Sequence, residues 1–434
     1  MKFRFGAVSM VLLFNIICFG LLYFYPGADT RELIMAVGII CALILGTYII
    51  VYAFNLGDPY PFLTVAMLSS MSIIMLYSVG IKQMAEIENP SVSLMPIAKA
   101  QLKWFICGIG VFFASYAIYR LIKGWEKFTY FYMGMALMLY LISLIGPLKS
   151  PVQGVHNWVK LGPVKLQVSE FIKLCYCFAM ASLFCRKTKL TGFKEKLYGI
   201  AREDVVSTVF VYMCLGFFIL QRELGTALLF FFVYLALMML YDVPFVMPLG
   251  NIAAVALGVL LLYSMGKIDY VMSRVEIWRD PGIDPAGAGY QITKSLEAIC
   301  SGGYFGTGLG LSPAYTFPVI ESDMIFSAIC YEMGIFMGFA IIMIYFILSY
   351  RGFKIAIEVS EPFDKALALT MIISIAGQAF IIIGGVTKMI PLTGITMPFV
   401  SAGGSSMIVC FAMLGILTAI SHKKDKSKLQ VDKM

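Results

Sequence analysis

Five places in this 434-residue sequence set charged or polar side chains among long apolar runs. Ser169-Glu170-Phe171-Ile172-Lys173 opens one run, and Gln221-Arg222-Glu223-Leu224-Gly225-Thr226 joins two others. Glu321-Ser322-Asp323 opens a third, with Glu332 about two helical turns later, and Ser401-Ala402-Gly403-Gly404-Ser405-Ser406 opens the last. Arg274 and Arg279 stand in the longest polar segment. An ionisable group at bilayer depth costs roughly 2.5–3.5 kcal/mol on insertion scales, so each such residue is a functional candidate. Together they offer carboxylates that can accept a proton and cations that can hold an anionic group. Glu170 and Lys173, spaced i, i+3, share one helix face and can pair.

The same residues have plainer readings. Glu170 with Lys173 is also what a helix cap with a dipole-friendly acid looks like. Glu223 also suits a short interfacial turn, and Gly403-Gly404-Ser405-Ser406 suits close helix packing. Gly306-Thr307-Gly308-Leu309-Gly310 lacks the Lys-Ser/Thr of a nucleotide loop and reads as tight turns. His156 is isolated and reads as a loop residue. What separates function from these readings is whether the clusters meet, and that depends on the elements that carry them.

Those elements are membrane spans. Residues are 60% hydrophobic and 13% charged, with a mean hydropathy of +0.87, against about 25% charged and 45–50% apolar in soluble domains. The chain is therefore read as an all-α polytopic membrane protein. The cysteines speak against a disulfide framework and a Cys/His zinc site: nine of ten lie in apolar runs, Cys300 alone is in a polar loop, and only His156 and His422 are present. Runs of about 20 apolar residues predict twelve spans, near 6–25, 33–54, 61–81, 104–119, 128–146, 169–185, 204–220, 224–241, 245–265, 323–349, 366–386 and 400–420. The first follows Met1-Lys2-Phe3-Arg4 without a small-residue cleavage pattern, so it reads as a retained helix.

The net charge of +8 is read as orientation rather than as a nucleic-acid surface. With the N-terminus inside, 19 basic residues fall on inner segments and 13 on the longer outer ones. Both termini are then cytoplasmic, 186–196 is a basic cytoplasmic loop, and 266–321 is a large outer loop with a short helix expected over Gln291 to Cys300. Spans six, ten and twelve start at the outer face, and the Glu223 turn is outside as well. Four polar clusters thus gather at one level near the outer leaflet.

The residues also resemble a known family. Gly154-Val155-His156-Asn157-Trp158 followed by Gln167-Val168-Ser169-Glu170-Phe171-Ile172-Lys173 is similar to a signature of the SEDS proteins (shape, elongation, division and sporulation: RodA, FtsW, SpoVE). Leu220 to Ala227 resembles their LQPDLGTA, and Arg274, Asp280-Pro281, Gly289-Tyr290-Gln291, Ser295 and Ser301-Gly302-Gly303 resemble the outer-loop pattern. Glu321 to Phe326 with Glu332-Met333-Gly334, then Pro391-Leu392-Thr393-Gly394 and Pro398 to Ser406, follow in family order. Three features depart: Asn157 stands where an Arg is common, Val168 replaces a Pro, and Glu223 occupies the place of the essential Asp, carrying its carboxylate one methylene further out.

The resemblance implies a ten-helix core over 55–422, with 1–54 as two added N-terminal helices and 423–434 as a basic cytoplasmic tail. It implies a peptidoglycan glycosyltransferase that polymerises lipid II beside a class B penicillin-binding protein transpeptidase. Glu223 would be the general base. Lys173 and Arg274, with Arg279 behind them, would face the leaving diphosphate. Glu170 would orient Lys173, and Asp323 and Ser405 would shape the cavity. A divalent cation (Mg or Mn) could assist, though no dedicated ligand spacing is visible. The other two readings are a transporter or flippase of a lipid-linked precursor, for which no inverted repeat or broken-helix pair speaks, and a non-catalytic scaffold recruiting a penicillin-binding protein.

Overall fold

Lipid gives a backbone nothing to hydrogen-bond, so long apolar runs close their own ladders as helices. The computed structural model describes residues 5–87, 93–145, 158–161, 164–189, 196–197, 200–241, 243–285, 287–313 and 316–423. Gly154, Val155, His156 and Asn157, residues 190–195 of the basic loop and the tail from 424 lie outside them. The chain begins with α1 (Phe5–Tyr23), α2 (Thr30–Ala53), α3 (Tyr60–Glu86), α4 (Met95–Leu121) and α5 (Thr129–Leu144). A hairpin of β1 (Trp158–Leu161) and β2 (Val164–Gln167), with Trp158 opposite Gln167, leads straight into α6 (Val168–Lys189). A second small hairpin, β3 (Lys196–Leu197) with β4 (Ile200–Ala201), precedes α7 (Arg202–Leu220), α8 (Leu224–Leu240) and α9 (Val246–Ser264). Then come α10 (Asp269–Arg279), α11 (Ala288–Gly302), α12 (Ile325–Met333), α13 (Ile335–Glu358), α14 (Pro362–Val386) and α15 (Gly404–His422).

Ten of these helices are long and apolar enough to cross a membrane; α5 and α8 are apolar but shorter. The helices sort by exposure. α3, α6, α14 and α15 are buried almost throughout and form the centre, whereas α9 has 11% of its apolar stretch buried and stands at the periphery. Leu13, Ile16, Leu257, Leu260, Phe339 and Met343 point outward from the outer helices, as expected of side chains whose solvent is lipid. α1 and α2 lean on α3: Asn15 Nδ2 donates to Ser70 Oγ at 2.9 Å, and Glu32 accepts from Tyr77 at 3.2 Å and pairs with Lys99 at 2.7 Å.

The expected single span over 323–349 is corrected. It is broken at Gly334 (φ 84°) into α12 and α13. The break is held by the loop that follows α11: Ile335 N–H donates to the Gly303 carbonyl at 2.9 Å, and Thr307 and Gly308 N–H donate to Tyr331 and Glu332 carbonyls at 3.0 and 2.9 Å. Only a glycine adopts this left-handed turn without strain. Local hydropathy carries no trace of a break made by a segment some thirty residues upstream.

Glu332 is buried at this break and serves the loop that follows α11 rather than the Glu223 cluster. It accepts from Ser78 Oγ on α3, from Ser312 Oγ at 2.8 Å and from Gly310 N–H at 3.3 Å. Replacing it by Ala strands these donors, each worth about 1–3 kcal/mol when left buried without an acceptor. Glu332→Ala should lower the thermal unfolding midpoint of the detergent-solubilised protein clearly more than Glu332→Gln does. Equal midpoints for the two variants would show that the acceptor oxygens do not carry the loop.

Candidate active site

The α7–α8 turn presents Glu223. Arg222 takes a left-handed conformation (φ 61°), which folds the chain back so that Glu223 N–H reaches the Phe218 carbonyl at 2.9 Å. Gln221 anchors the turn through Ser143 Oγ on α5 at 2.6 Å. Glu223 is 6% exposed, and its Oε1 accepts from Ser169 Oγ at 2.8 Å, Thr226 Oγ1 at 2.6 Å and Gln167 Nε2 at 3.4 Å. The first turn of α8 then passes so close to the 391–398 segment that a Cβ on Gly225 would lie 2.2 Å from Ile395 Cγ2. Gly225 is what lets that segment pack against the start of α8.

One turn beyond Ser169, Lys173 is 2% exposed. Its ammonium donates to Glu170 Oε2 at 2.5 Å and to Gln378 Oε1 of α14 at 2.6 Å. The i, i+3 pairing expected from sequence is therefore present. Gln378 Nε2 in turn donates to the Thr396 carbonyl at 2.8 Å, and Thr396 Oγ1 reaches Glu170 Oε1 at 3.4 Å and Ser406 Oγ at 3.1 Å. Ser405 Oγ accepts the Gln167 N–H at 3.0 Å. Gln167, Ser169, Glu170, Lys173, Thr226 and Gln378 line one small pocket beneath the 395–396 backbone. Three of the four clusters thus converge, with segments more than 200 residues apart in direct contact.

Arg274 and Asp323 meet on the other flank of the same segment. Arg274 NH1 donates to the Leu392 carbonyl at 2.7 Å, and Gly394 packs beside both side chains. α10 uses one face to do this. Tyr270 Oη donates to the Ile219 carbonyl at 3.2 Å, beside the Glu223 turn, and Trp278 Nε1 donates to the Lys388 carbonyl at 3.0 Å. Residues 270, 274 and 278 recur every four positions, so the helix bridges both parts of the site. Arg279 ends the helix exposed and does not join them. Among the described residues, four of the five non-glycine positions with left-handed backbone (Arg222, Val319, Lys388 and Phe399) flank this region, each costing about 1–3 kcal/mol that the surrounding contacts must offset.

Sequence reading missed Gln378, because an amide in the apolar run 366–386 is polar but not ionisable and escaped the criterion that singled out the charges. It also missed Thr396 and the hydroxyls of Ser169 and Thr226 as holders of the carboxylates. Small hydroxyls are common in helices and carry no signal until their neighbours are known.

Comparison with known proteins now decides the family. The model of the FtsW, RodA and SpoVE cell cycle proteins matches residues 59–426. The chain belongs to that family. Peptidoglycan glycosyltransferase RodA of Mycobacterium tuberculosis is 31% identical over 374 residues, covering 84% of this chain and 78% of that protein. Stage V sporulation protein E of Bacillus subtilis is 32% identical over 335 residues, 75% and 87% of the two chains. In fold, the chain is similar to a component of a peptidoglycan synthase complex described as coordinating polymerization and crosslinking (TM-score 0.66, 21% identity, 84% and 97% covered). It is also similar to RodA of Thermus thermophilus (TM-score 0.57, 19% identity, 85% and 97% covered). α1 and α2 lie outside the family match, which begins just before α3.

The turn that carries Asp323 lies outside the membrane-spanning helices. Burial pushes its carboxyl up from 3.8 to about 6, Glu321 adding to the rise and the Ser322 hydroxyl and Arg274 opposing it. The folded protein then keeps a proton that the unfolded chain has released, so this contribution to stability falls as pH rises from about 3.8 to about 6 and is flat above. The difference in unfolding midpoint, wild type minus Asp323→Asn, should shrink across that window. A difference that stays constant from pH 4 to 7 would contradict the assignment.

Proposed function

We propose that this chain is a peptidoglycan glycosyltransferase that polymerises lipid II, with Glu223 as its general base. The observation that carries the reading is a carboxylate held by Ser169, Thr226 and Gln167, three residues that also line the small pocket beside the Lys173 cation. Glu223 takes the proton from the acceptor sugar hydroxyl. The hydroxyl oxygen forms the new bond to the anomeric carbon of the donor, the bond from that carbon to the phosphate oxygen breaks, and the electron pair leaves with undecaprenyl diphosphate. The leaving group is anionic, and Lys173 and Arg274 are the cations assigned to it, with Glu170 and Gln378 fixing the Lys173 ammonium. Asp323 and Ser405 shape the two flanks of the 391–406 segment.

The carboxylates do not fit a resident divalent cation. Glu170 is engaged by Lys173, and Glu223 by hydroxyls and an amide. Among the described residues no three His, Cys, Asp or Glu side chains gather to hold a metal. The mechanism is therefore built on proton transfer and fixed cations alone.

A lipid-linked sugar diphosphate needs its tail in the bilayer and its sugars in water. A polar site at one end of an apolar bundle meets both needs. We place that end at the outer face and both termini in the cytoplasm, on the strength of 19 inner against 13 outer basic residues. The partner we assign is a class B penicillin-binding protein, since the fold is similar to that of a synthase complex whose work joins polymerization to crosslinking. The process served is wall growth in elongation, division or sporulation.

The test is polymerisation of labelled lipid II by the purified protein, alone and with its transpeptidase. Glu223→Gln should lose about 10²–10⁴-fold in rate, the usual contribution of a general base, while Glu223→Asp keeps part of it. Glycan chains made equally well by Glu223→Gln would remove Glu223 from the mechanism. Flux of precursor across liposomes without any polymer would favour a transporter.

A further inference from the structure

A second chamber, open on one side, lies at the α15 N-terminus. It is lined by Pro96, Ile97, Ala100, Gln101 and Trp104 of α4, by Glu321, and by the Ala402–Gly404 backbone. Its volume is about 320 Å³, within the range of small-molecule sites, which begins at roughly 300 Å³. The pocket beside Lys173 has a volume of about 10 Å³, room for about one water. A polymerase must hold two saccharides at once, and the small pocket has no room for either.

The lining of the larger chamber has the chemistry for one. Positions 96, 97, 100, 101 and 104 form one helix face, and Trp104 lies against the Gly404 backbone with its indole at the chamber wall. An indole ring is a platform for the apolar face of a pyranose. Gln101 is 1% exposed; its Nε2 donates to Ser72 Oγ at 3.0 Å and to the Ser401 carbonyl at 3.2 Å, while its Oε1 has no hydrogen-bond partner. A buried carbonyl oxygen without a donor fits a hydroxyl or N-acetyl N–H of a ligand. Glu321, partly exposed, adds a carboxylate acceptor for sugar hydroxyls. The Ser401 carbonyl held by Gln101 belongs to the same segment as Ser405, which bonds Gln167 of the Glu223 pocket.

Resting on the polymerase reading above, we infer that this chamber is a saccharide subsite that holds the N-acetylated sugars of the glycan, with Trp104, Gln101 and Glu321 as its binding residues. The probe is a lipid-free tetrasaccharide of alternating N-acetylglucosamine and N-acetylmuramic acid, titrated into the full-length protein in detergent and followed by tryptophan fluorescence. Saturable quenching in wild type is expected, with loss of the signal in Trp104→Phe. Glu321→Gln should weaken binding about tenfold, the scale of one lost hydrogen bond to a charged group. In parallel lipid II assays both variants should give shorter chains than wild type.

Unchanged quenching in Trp104→Phe overturns the subsite. So does quenching by sugar-free undecaprenyl diphosphate and not by the tetrasaccharide, which would make the chamber a site for the lipid carrier. Tetrasaccharide binding by a wild type that makes no polymer keeps the saccharide site and defeats the polymerase reading instead.

Discussion

Non-helical backbone inside an apolar bundle survives only where protein groups answer its amides and carbonyls, and the segment between α14 and α15 is built on that constraint. The Lys388 carbonyl is met by Trp278, Leu392 by Arg274, Thr396 by Gln378, Pro398 by Tyr345, and Ser401 by Gln101. The Met397 N–H is met by Ser401 Oγ at 2.8 Å, and the Ala402 N–H by the Glu321 carbonyl at 2.7 Å. Side chains from four helices and the turn before α12 thus converge on about fifteen residues. Many of the groups assigned to chemistry are the same groups that satisfy this backbone, or their direct neighbours.

Gln378 shows how the two duties combine. Its amide nitrogen satisfies the Thr396 carbonyl, and its oxygen receives the Lys173 ammonium. Leucine in its place would leave a buried carbonyl unmet and Lys173 with Glu170 as its side-chain acceptor. The orientation of the Lys173 cation and the course of the backbone that roofs it are therefore one structural problem. Glu223 belongs to the same arrangement. Its carboxylate is set by hydroxyls one residue before Glu170 and one turn into α8, so the extra methylene relative to Asp is absorbed where three donors can follow it.

Much of this was legible in the chain because lipid makes charge conspicuous. Glu170, Lys173 and Glu223 stood out against apolar neighbours, the i, i+3 spacing gave the pair, and span polarity brought distant clusters to one end. What stayed hidden depends on contacts without local signature. The break at Gly334 is written in the loop after α11, some thirty residues away. Arg274 and Arg279 look alike in sequence, yet only the 270, 274, 278 face of α10 touches the site. Glu332 looked like one more member of the convergent set, whereas its donors come from α3 and the loop after α11. The short β1–β2 hairpin, which delivers Gln167 to Ser405, is written in Val159-Lys160-Leu161 and Val164-Lys165-Leu166 on either side of Gly162-Pro163, but at four residues per strand it is passed over by a search for long apolar runs.

The distribution of burial bears on whether the site works by holding still or by moving. Transport by alternating access asks two halves of a bundle to rock about a central site. Here α6, α8, α14 and α15, three of them buried almost throughout, meet at Lys173 and Glu223 through desolvated hydrogen bonds. Rocking any one against the others would part Lys173 from Gln378 or Gln167 from Ser405, and an ammonium stripped of an acceptor in that interior is costly. Catalysis gains from the same rigidity, because a base and a cation fixed before the substrate arrives need no reorganisation during the reaction. The least buried of the long apolar helices, α9, takes no part in these bonds. Freedom to move is thus kept at the periphery, and the groups assigned to the reaction stand where the fold is hardest to deform.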